Sequence, residues 1–239
     1  MLICDREINI HDESLYAGYI GTDSARQGRS AAEFLIRKFT SGNDDESPAE
    51  DDPEAEVPPR RNRPVRIVEL SGTEGSSAAA KRALGFRELL EAHNAEAVSQ
   101  TPETRPPQFE IIHSASGDFL RSKGYELACY ILDTFDEIDV LYSHNDGMTL
   151  GAIDAMKERG IRPGLDIVIV TIDAEQAVID ALRCGEVNCV VECNPKQGTD
   201  ILRLAANLAQ GESIPRVTFM HEEVFSENDD LNRILLRGY

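Results

Sequence analysis

The side chains able to do chemistry stand directly behind short apolar runs. Asp5 and Arg6 follow Leu2-Ile3-Cys4, and Ser143, His144, Asn145 and Asp146 follow Leu141-Tyr142. Asp173 follows Val170-Thr171-Ile172, and Glu192, Cys193 and Asn194 follow Val190-Val191. In open α/β sheets, ligands sit beyond the carboxyl ends of the strands, so these positions are where a site is expected. Arg82, about a turn into the helix after Val65–Leu70, and Phe119, just past the run ending at His113, belong with them. Asp, Asn and Arg beside one aromatic ring suit a polyhydroxylated ligand. The planar groups meet vicinal hydroxyls with charge-assisted hydrogen bonds, and the ring meets the C–H face of a sugar.

Each residue also has an ordinary role open to it. Asp146 is expected to cap the helix it begins, and Asn145 and Asp173 are equally readable as turn residues. His144 reads as structural or merely exposed, because no second His or Cys lies at metal-ligand spacing. Asp5 and Arg6 could form a surface ion pair of little value. Asp5, Asp173 and Glu192 could be set across a cleft as glycosidase carboxylates, but no GxSxG, GxGxxG, P-loop or HExxH motif accompanies them. Joint placement at strand ends favours a binding site over any of these roles taken singly.

The elements that must position these residues alternate regularly. Strands are predicted at Leu2–Cys4, Tyr16–Gly21, Val65–Leu70, Phe109–His113, Ile138–Tyr142, Ile167–Ile172 and Val187–Glu192. Between them, helical spacing runs through Gly28, Ala31, Ala32, Leu35, Ile36 and Phe39 within Ser24–Phe39, then through Leu120, Gly124, Leu127, Ala128, Ile131, Leu132 and Phe135. A helix from Asp146 to Arg159 is stopped by Gly160, one striped by Ala177, Val178, Ala181 and Leu182 is stopped by Gly185, and another covers Pro195–Gln210. Strand and helix repeated in this way predict α/β architecture: doubly wound, mostly parallel sheets with helices on both faces.

Composition sets the outer bounds. The 239 residues are 41% apolar, ample for a core, and 24 Lys and Arg against 43 Asp and Glu leave a net charge of −19. Such a field repels nucleic-acid phosphates and anionic lipid headgroups. No apolar run approaches the roughly 20 residues of a membrane span, and the start lacks the basic and apolar regions of a signal peptide. Cys4, Cys129, Cys184, Cys189 and Cys193 form no CxxC pair, and read as buried or idle thiols. One stretch, GNDDESPAEDDPEAEVPPRRNRP at 42–64, is nearly devoid of apolar residues and is expected to be a disordered acidic surface insertion.

Four blocks go further. SerGlyAspPhe-x-ArgSerLysGly at 116–124, HisAsnAsp at 144–146, GlyAlaIle-x-Ala at 151–155 and ProGly-x-AspIle at 163–167, with the closing Gly238-Tyr239, resemble the type I periplasmic sugar-binding proteins of bacterial ABC importers, and most closely their galactofuranose-binding branch. The resemblance runs from Leu2 to Tyr239 apart from the insertion. It implies two α/β lobes joined by a three-stranded hinge and closing on a monosaccharide, with no cofactor, no metal and no catalytic residue.

Carried over by position, the family's ligand residues fall on Asp5 and Arg6 in the first lobe and on Arg82, Phe119, Asn145 and Asp173 in the second. A polar contact near the hinge matches Cys193, for which Glu192 or Asn194 would substitute. Asp23 matches a hinge residue. The implied division is a first-lobe remnant at 1–22 completed by 193–222, and a second lobe at 23–192 with 223–239. The first lobe is expected to be incomplete, since family members carry earlier strand-helix units, and sugar affinity is correspondingly expected to be weak. The implied partners are permease subunits, and the implied location is the periplasm or cell envelope. The effector-binding domain of a LacI-type regulator shares this two-lobe fold; the SerGlyAspPhe and HisAsnAsp blocks and the charge of −19 favour the transport branch.

Overall fold

Runs of buried β-branched and aliphatic residues build the main sheet. Its strands β3 (Val65–Ser71), β4 (Phe109–Ser116), β5 (Val140–Ser143), β6 (Val168–Asp173) and β7 (Cys189–Glu192) are parallel, and β9 (Val224–Ser226) closes one edge antiparallel to β7. A smaller parallel sheet joins β1 (Leu2–Asp5), β2 (Gly18–Gly21) and β8 (Val217–Phe219), in that order. The protein is described here from a computed structural model covering residues 1–8, 12–40, 63–101 and 105–239. The acidic insertion expected at 42–64 lies outside the described residues apart from Arg63 and Pro64.

Strand order in the main sheet is β4-β3-β5-β6-β7-β9. The chain leaves β3 toward β4 on one side and returns to place β5 on the other, so the winding reverses between β3 and β5. A crevice opens at such a switch point, beyond the carboxyl ends of the strands. Register runs Val140↔Val168 and Val170↔Cys189 across the centre, which leaves Asp173 paired with Glu192 at the carboxyl edge.

Helices cover both faces. α1 (Ser24–Thr40) and α2 (Ser77–Val98) pack over a core containing Leu35, Ile67, Phe86, Tyr142 and Val191. α3 (Arg121–Thr134), α4 (Asp146–Glu158) and α5 (Gln176–Arg183) belong to the opposite core, with Leu70, Leu141, Met148, Ile169 and Ile179. Glycine brings the helices of each pair unusually close. A Cβ at Gly28 would lie 2.1 Å from the Arg82 carbonyl oxygen, and one at Gly85 would lie 2.0 Å from that of Ala25. Gly124 and Gly151 play the same part between α3 and α4. α4 ends at Gly160, whose φ of +73° lets Ile161 N–H reach the Met156 carbonyl at 3.0 Å, and Gly185 ends α5 in the same conformation.

Three short segments cross between the sheets. Thr22 and Asp23 link β2 to α1, residues 193–197 link β7 to α6 (Gly198–Ala209), and residues 220–223 link β8 to β9. Asp23 caps α1, its carboxylate accepting Arg26 N–H at 3.0 Å. The tail returns to the second crossing. Tyr239 Oη donates to Glu192 Oε1 at 3.1 Å, Arg237 pairs with the same carboxylate, and Glu223 N–H donates to its other oxygen at 3.0 Å. That anchoring holds Glu192 away from the crevice and removes it from any carboxylate pair with Asp173.

Candidate functional site

A cavity of about 220 Å³ opens between the two sheets, lined by Asp5, Arg6, Arg82, Phe119, Asn145 and Asp173 together with Glu7 just past β1, Tyr19 of β2 and residues of α2. The six ligand residues carried over by position therefore meet in one space. Asn194, offered as a seventh, does not join them. Asn194 faces a separate groove behind the crossings, where its Oδ1 accepts Lys196 N–H at 2.9 Å and its amide donates to the His221 carbonyl. Beyond the strand end the chain turns, and Cys193 is left lining the cavity in its place.

Arg82 forms the floor. It is 4% exposed, although it is a long cation, because every side of the guanidinium is met. Nε donates to Gln27 Oε1 at 2.9 Å, Nη1 to the His144 carbonyl at 2.5 Å and Nη2 to Asp173 Oδ1 at 3.4 Å. The close α1–α2 crossing at Gly28 and Gly85 sets its backbone, and the buried Tyr142 Oη donates to its carbonyl at 3.4 Å. Asp173 ends β6 with φ at 134°, followed by Ala174 at 73°, and this uncommon backbone turns its carboxylate toward the cavity. Burial pushes that carboxyl up to about 6 against the pull of Arg82, and Glu175 adds to the rise.

Asn145, not Asp146, caps α4. Its Oδ1 accepts Met148 N–H at 3.1 Å while its amide donates to the Phe119 carbonyl at 3.2 Å. Asp146 is instead fully buried, accepting from Thr171 Oγ1 at 2.9 Å and Glu175 N–H at 2.6 Å. The expected cap is displaced by one residue because the Asp146 side chain is drawn inward to satisfy β6 and the turn behind it. Burial, followed by the nearby Asp173 charge, raises its pKa well above the ordinary value.

Phe119 sits at a φ of 61° with its ring over Gly72, where a Cβ would lie 1.9 Å from the ring. Glycine thus makes room for the aromatic wall. His144 is buried under the site. Its Nδ1 accepts Gly72 N–H at 3.3 Å and its Nε2 faces Glu69 Oε1 at 3.1 Å, so the proton sits on Nε2 and the imidazole is neutral. Burial lowers its pKa. Glu69 is fully buried in mid-strand and is also held by Ser114 Oγ at 2.6 Å and by Arg87.

From the small sheet come Asp5 and Arg6, whose side chains are 71% and 60% exposed. They are an ion pair at 3.8 Å, but Arg6 also donates to Ser76 Oγ at 3.1 Å and lies 6.0 Å from the Phe119 ring centre. Glu7 and Lys81 make a second bridge between the sheets. The cavity thus has a buried, pre-set floor on the main sheet and an exposed, charged rim on the small one.

A family model described as the periplasmic binding protein domain matches residues 3–213. The chain belongs to the periplasmic binding protein family. It is 32% identical over 202 residues to the galactofuranose-binding protein YtfQ of Escherichia coli strain K12, covering 82% of this chain and 52% of that one. It is 23% identical over 197 residues to the ribose import binding protein RbsB of Salmonella typhimurium, covering 82% of this chain and 53% of that one. Among solved structures, a protein of Mycobacterium smegmatis in complex with β-D-fucofuranose superposes with a TM-score of 0.76 at 32% identity, covering 95% of this chain and 64% of that one. The arabinose transporter's periplasmic component from Shewanella sp. ANA-3, bound to L-arabinofuranose, gives 0.76 at 29%, again covering 95% and 64%. The chain therefore spans about half the length of the curated relatives it matches. Its fold is that of the type I periplasmic sugar-binding proteins.

Tyr19, Lys81 and Glu7, which line the cavity, and Gln27, which contacts Arg82 beneath it, are residues that sequence reasoning missed. Gln27 reads as a polar residue in the first turn of a helix, and only its position beside three chain crossings explains why it is 1% exposed.

Proposed function

We propose that the cavity between the two sheets binds one monosaccharide in its furanose form, and that the two sheets are two lobes closing on it. The observation that carries this reading is the convergence of Asp5 and Arg6 from one sheet with Arg82, Phe119, Asn145 and Asp173 from the other on a single 220 Å³ space. Its size falls below the usual range of roughly 300–1,000 Å³ for ligand pockets, as a small ligand requires. Asp173 and Asp5 accept sugar hydroxyl protons, Arg82 and Arg6 donate to the oxygens between them, and the Phe119 ring covers a C–H face. The sugars bound in the M. smegmatis and Shewanella structures are both furanoses, which supports the ring form.

We read the site as one of binding without turnover. Glu192 is tied to Arg237 and Tyr239, which takes it out of the carboxylate set, and Asp5 and Asp173, which both line the cavity, are read as acceptors of sugar hydroxyl protons. Ligand favours the closed arrangement by bridging both lobes, and the closed form is what a membrane permease outside the cytoplasm would recognise. Because Asp5 and Arg6 stand largely in water, affinity in this chain is expected to be weak. Titration with L-arabinose, D-fucose, D-galactose and D-ribose tests the reading. Saturable binding of at least one sugar, lost in Arg82→Met, is expected; no saturable binding of any of them would overturn it.

A further inference from the structure

Gln27 is buried among the three segments that cross between the sheets: its backbone meets the first, and its side chain meets the third and the mouth of the second. Gln27 lies four residues after Asp23 of the first crossing, to whose carbonyl its own N–H donates at 3.0 Å. Its Nε2 donates to Glu222 Oε1 on the third crossing at 2.8 Å, and the Glu192 carbonyl at the mouth of the second lies 3.5 Å away. Its Oε1 accepts from Arg82 Nε at 2.9 Å. The amide has only one workable orientation, since Arg82 Nε can only donate and an ionised Glu222 can only accept.

We propose that Gln27 is a positioning residue that couples the three crossings to Arg82, so that a shift of the crossings, or a change of charge at Glu222, reaches the ligand face through one amide. Gln27 need touch no ligand to act. An ionised Glu222 holds Nε2, which fixes Oε1 against Arg82 and so sets where Nη2 meets Asp173. A protonated Glu222 can donate in turn, and the amide loses its charged anchor.

Glu222 is placed to change state. Burial pushes it up to about 7, opposed by Gln27, the Asn194 N–H and Arg82, while Asp23 on the first crossing raises it further. Cys193 on the second crossing and Tyr19 on β2 also face it. Asp173, the carboxyl that Arg82 itself contacts, responds lower, at about 6. A structural filler would transmit neither.

The NMR signal of the Arg82 Nε–Hε group reads the coupling directly, and an Asp173→Asn background removes the lower titration. In that background the signal is expected to be protected from water exchange and to shift with a midpoint near 7. Glu222→Gln, which keeps an acceptor for Gln27, is expected to retain protection and lose the shift. Gln27→Met is expected to lose both. A shift that persists in Glu222→Gln, or an unchanged protected signal in Gln27→Met, overturns the proposal. Glu222→Gln is isosteric, so the test survives should Gln27→Met fail to fold. The consequence for ligand rests on the sugar-site reading, but these samples need no sugar: loss of the shift in both variants supports the coupling even if later additions of L-arabinose leave every signal unmoved, a result that would sink the sugar site instead.

Discussion

Replacing Asp173 by Asn should make the protein more stable and its site useless. The carboxyl ends β6 beside Arg82, and burial lifts it from an ordinary 3.8 to about 6 even with that cation 3.4 Å away. A folded-state pKa above the unfolded one means that the native protein binds the proton more tightly, so ionising Asp173 costs stability as pH rises from about 4 to about 6 and the whole cost is present above that. The difference corresponds to ~3 kcal/mol at pH 7.5 and ~1 kcal/mol at pH 4.5. Asparagine resembles the protonated form in shape and carries no charge. Urea unfolding at both values measures the change. The variant should gain on the order of 1–3 kcal/mol at pH 7.5, and most of that gain should vanish at pH 4.5. Equal stability at pH 7.5, or a difference that does not depend on pH, would refute the placement of an ionised, desolvated carboxylate at this position. Retention of such a costly charge is what a ligand-binding role accounts for.

Sugar affinity of the native chain should weaken about tenfold between pH 7.5 and 5, with a midpoint near 6 as Asp173 takes up its proton, and isothermal titration across that range checks it. Gly28→Ala forces a Cβ to within 2.1 Å of the Arg82 carbonyl, so the α1–α2 crossing must open; thermal unfolding should show a loss of roughly 1–3 kcal/mol, and sugar binding should fall with it. Asn145→Ala removes the cap of α4 and the hold on the Phe119 carbonyl, which should lower stability by about 1 kcal/mol in urea and broaden the Phe119 ring signals.

Much of this was legible because parallel strands buried on both faces leave long apolar runs. The gaps are instructive. β4, β5 and β6 each run on through Ser116, Ser143 and Asp173, and β1 through Asp5, because a polar residue at the carboxyl edge still joins the ladder while its side chain enters the crevice, as in Asp5 and Asp173, or bonds a nearby carbonyl, as in Ser116 and Ser143. Element ends were misjudged where the site begins, since hydropathy marks the core and not the hydrogen bonds. β8 and β9 escaped notice for another reason. Val217, Phe219 and Val224 are all exposed, and their pairing with β2 and β7 depends on chain segments nearly 200 and about 35 residues away. Asn194 was misplaced because a turn after β7 cannot be read from residue type, and Gln27 was missed because a polar residue near a helix start ordinarily faces water.

The measurement that bears most directly on the site is a set of backbone and side-chain NMR spectra recorded during addition of L-arabinose. The account predicts saturable shifts in two groups at once, Asp5 and Arg6 on the small sheet and Arg82, Phe119, Asn145 and Asp173 on the main one, with the groove at Asn194 quiet. Shifts confined to that groove or to one sheet, or none at all, would contradict it.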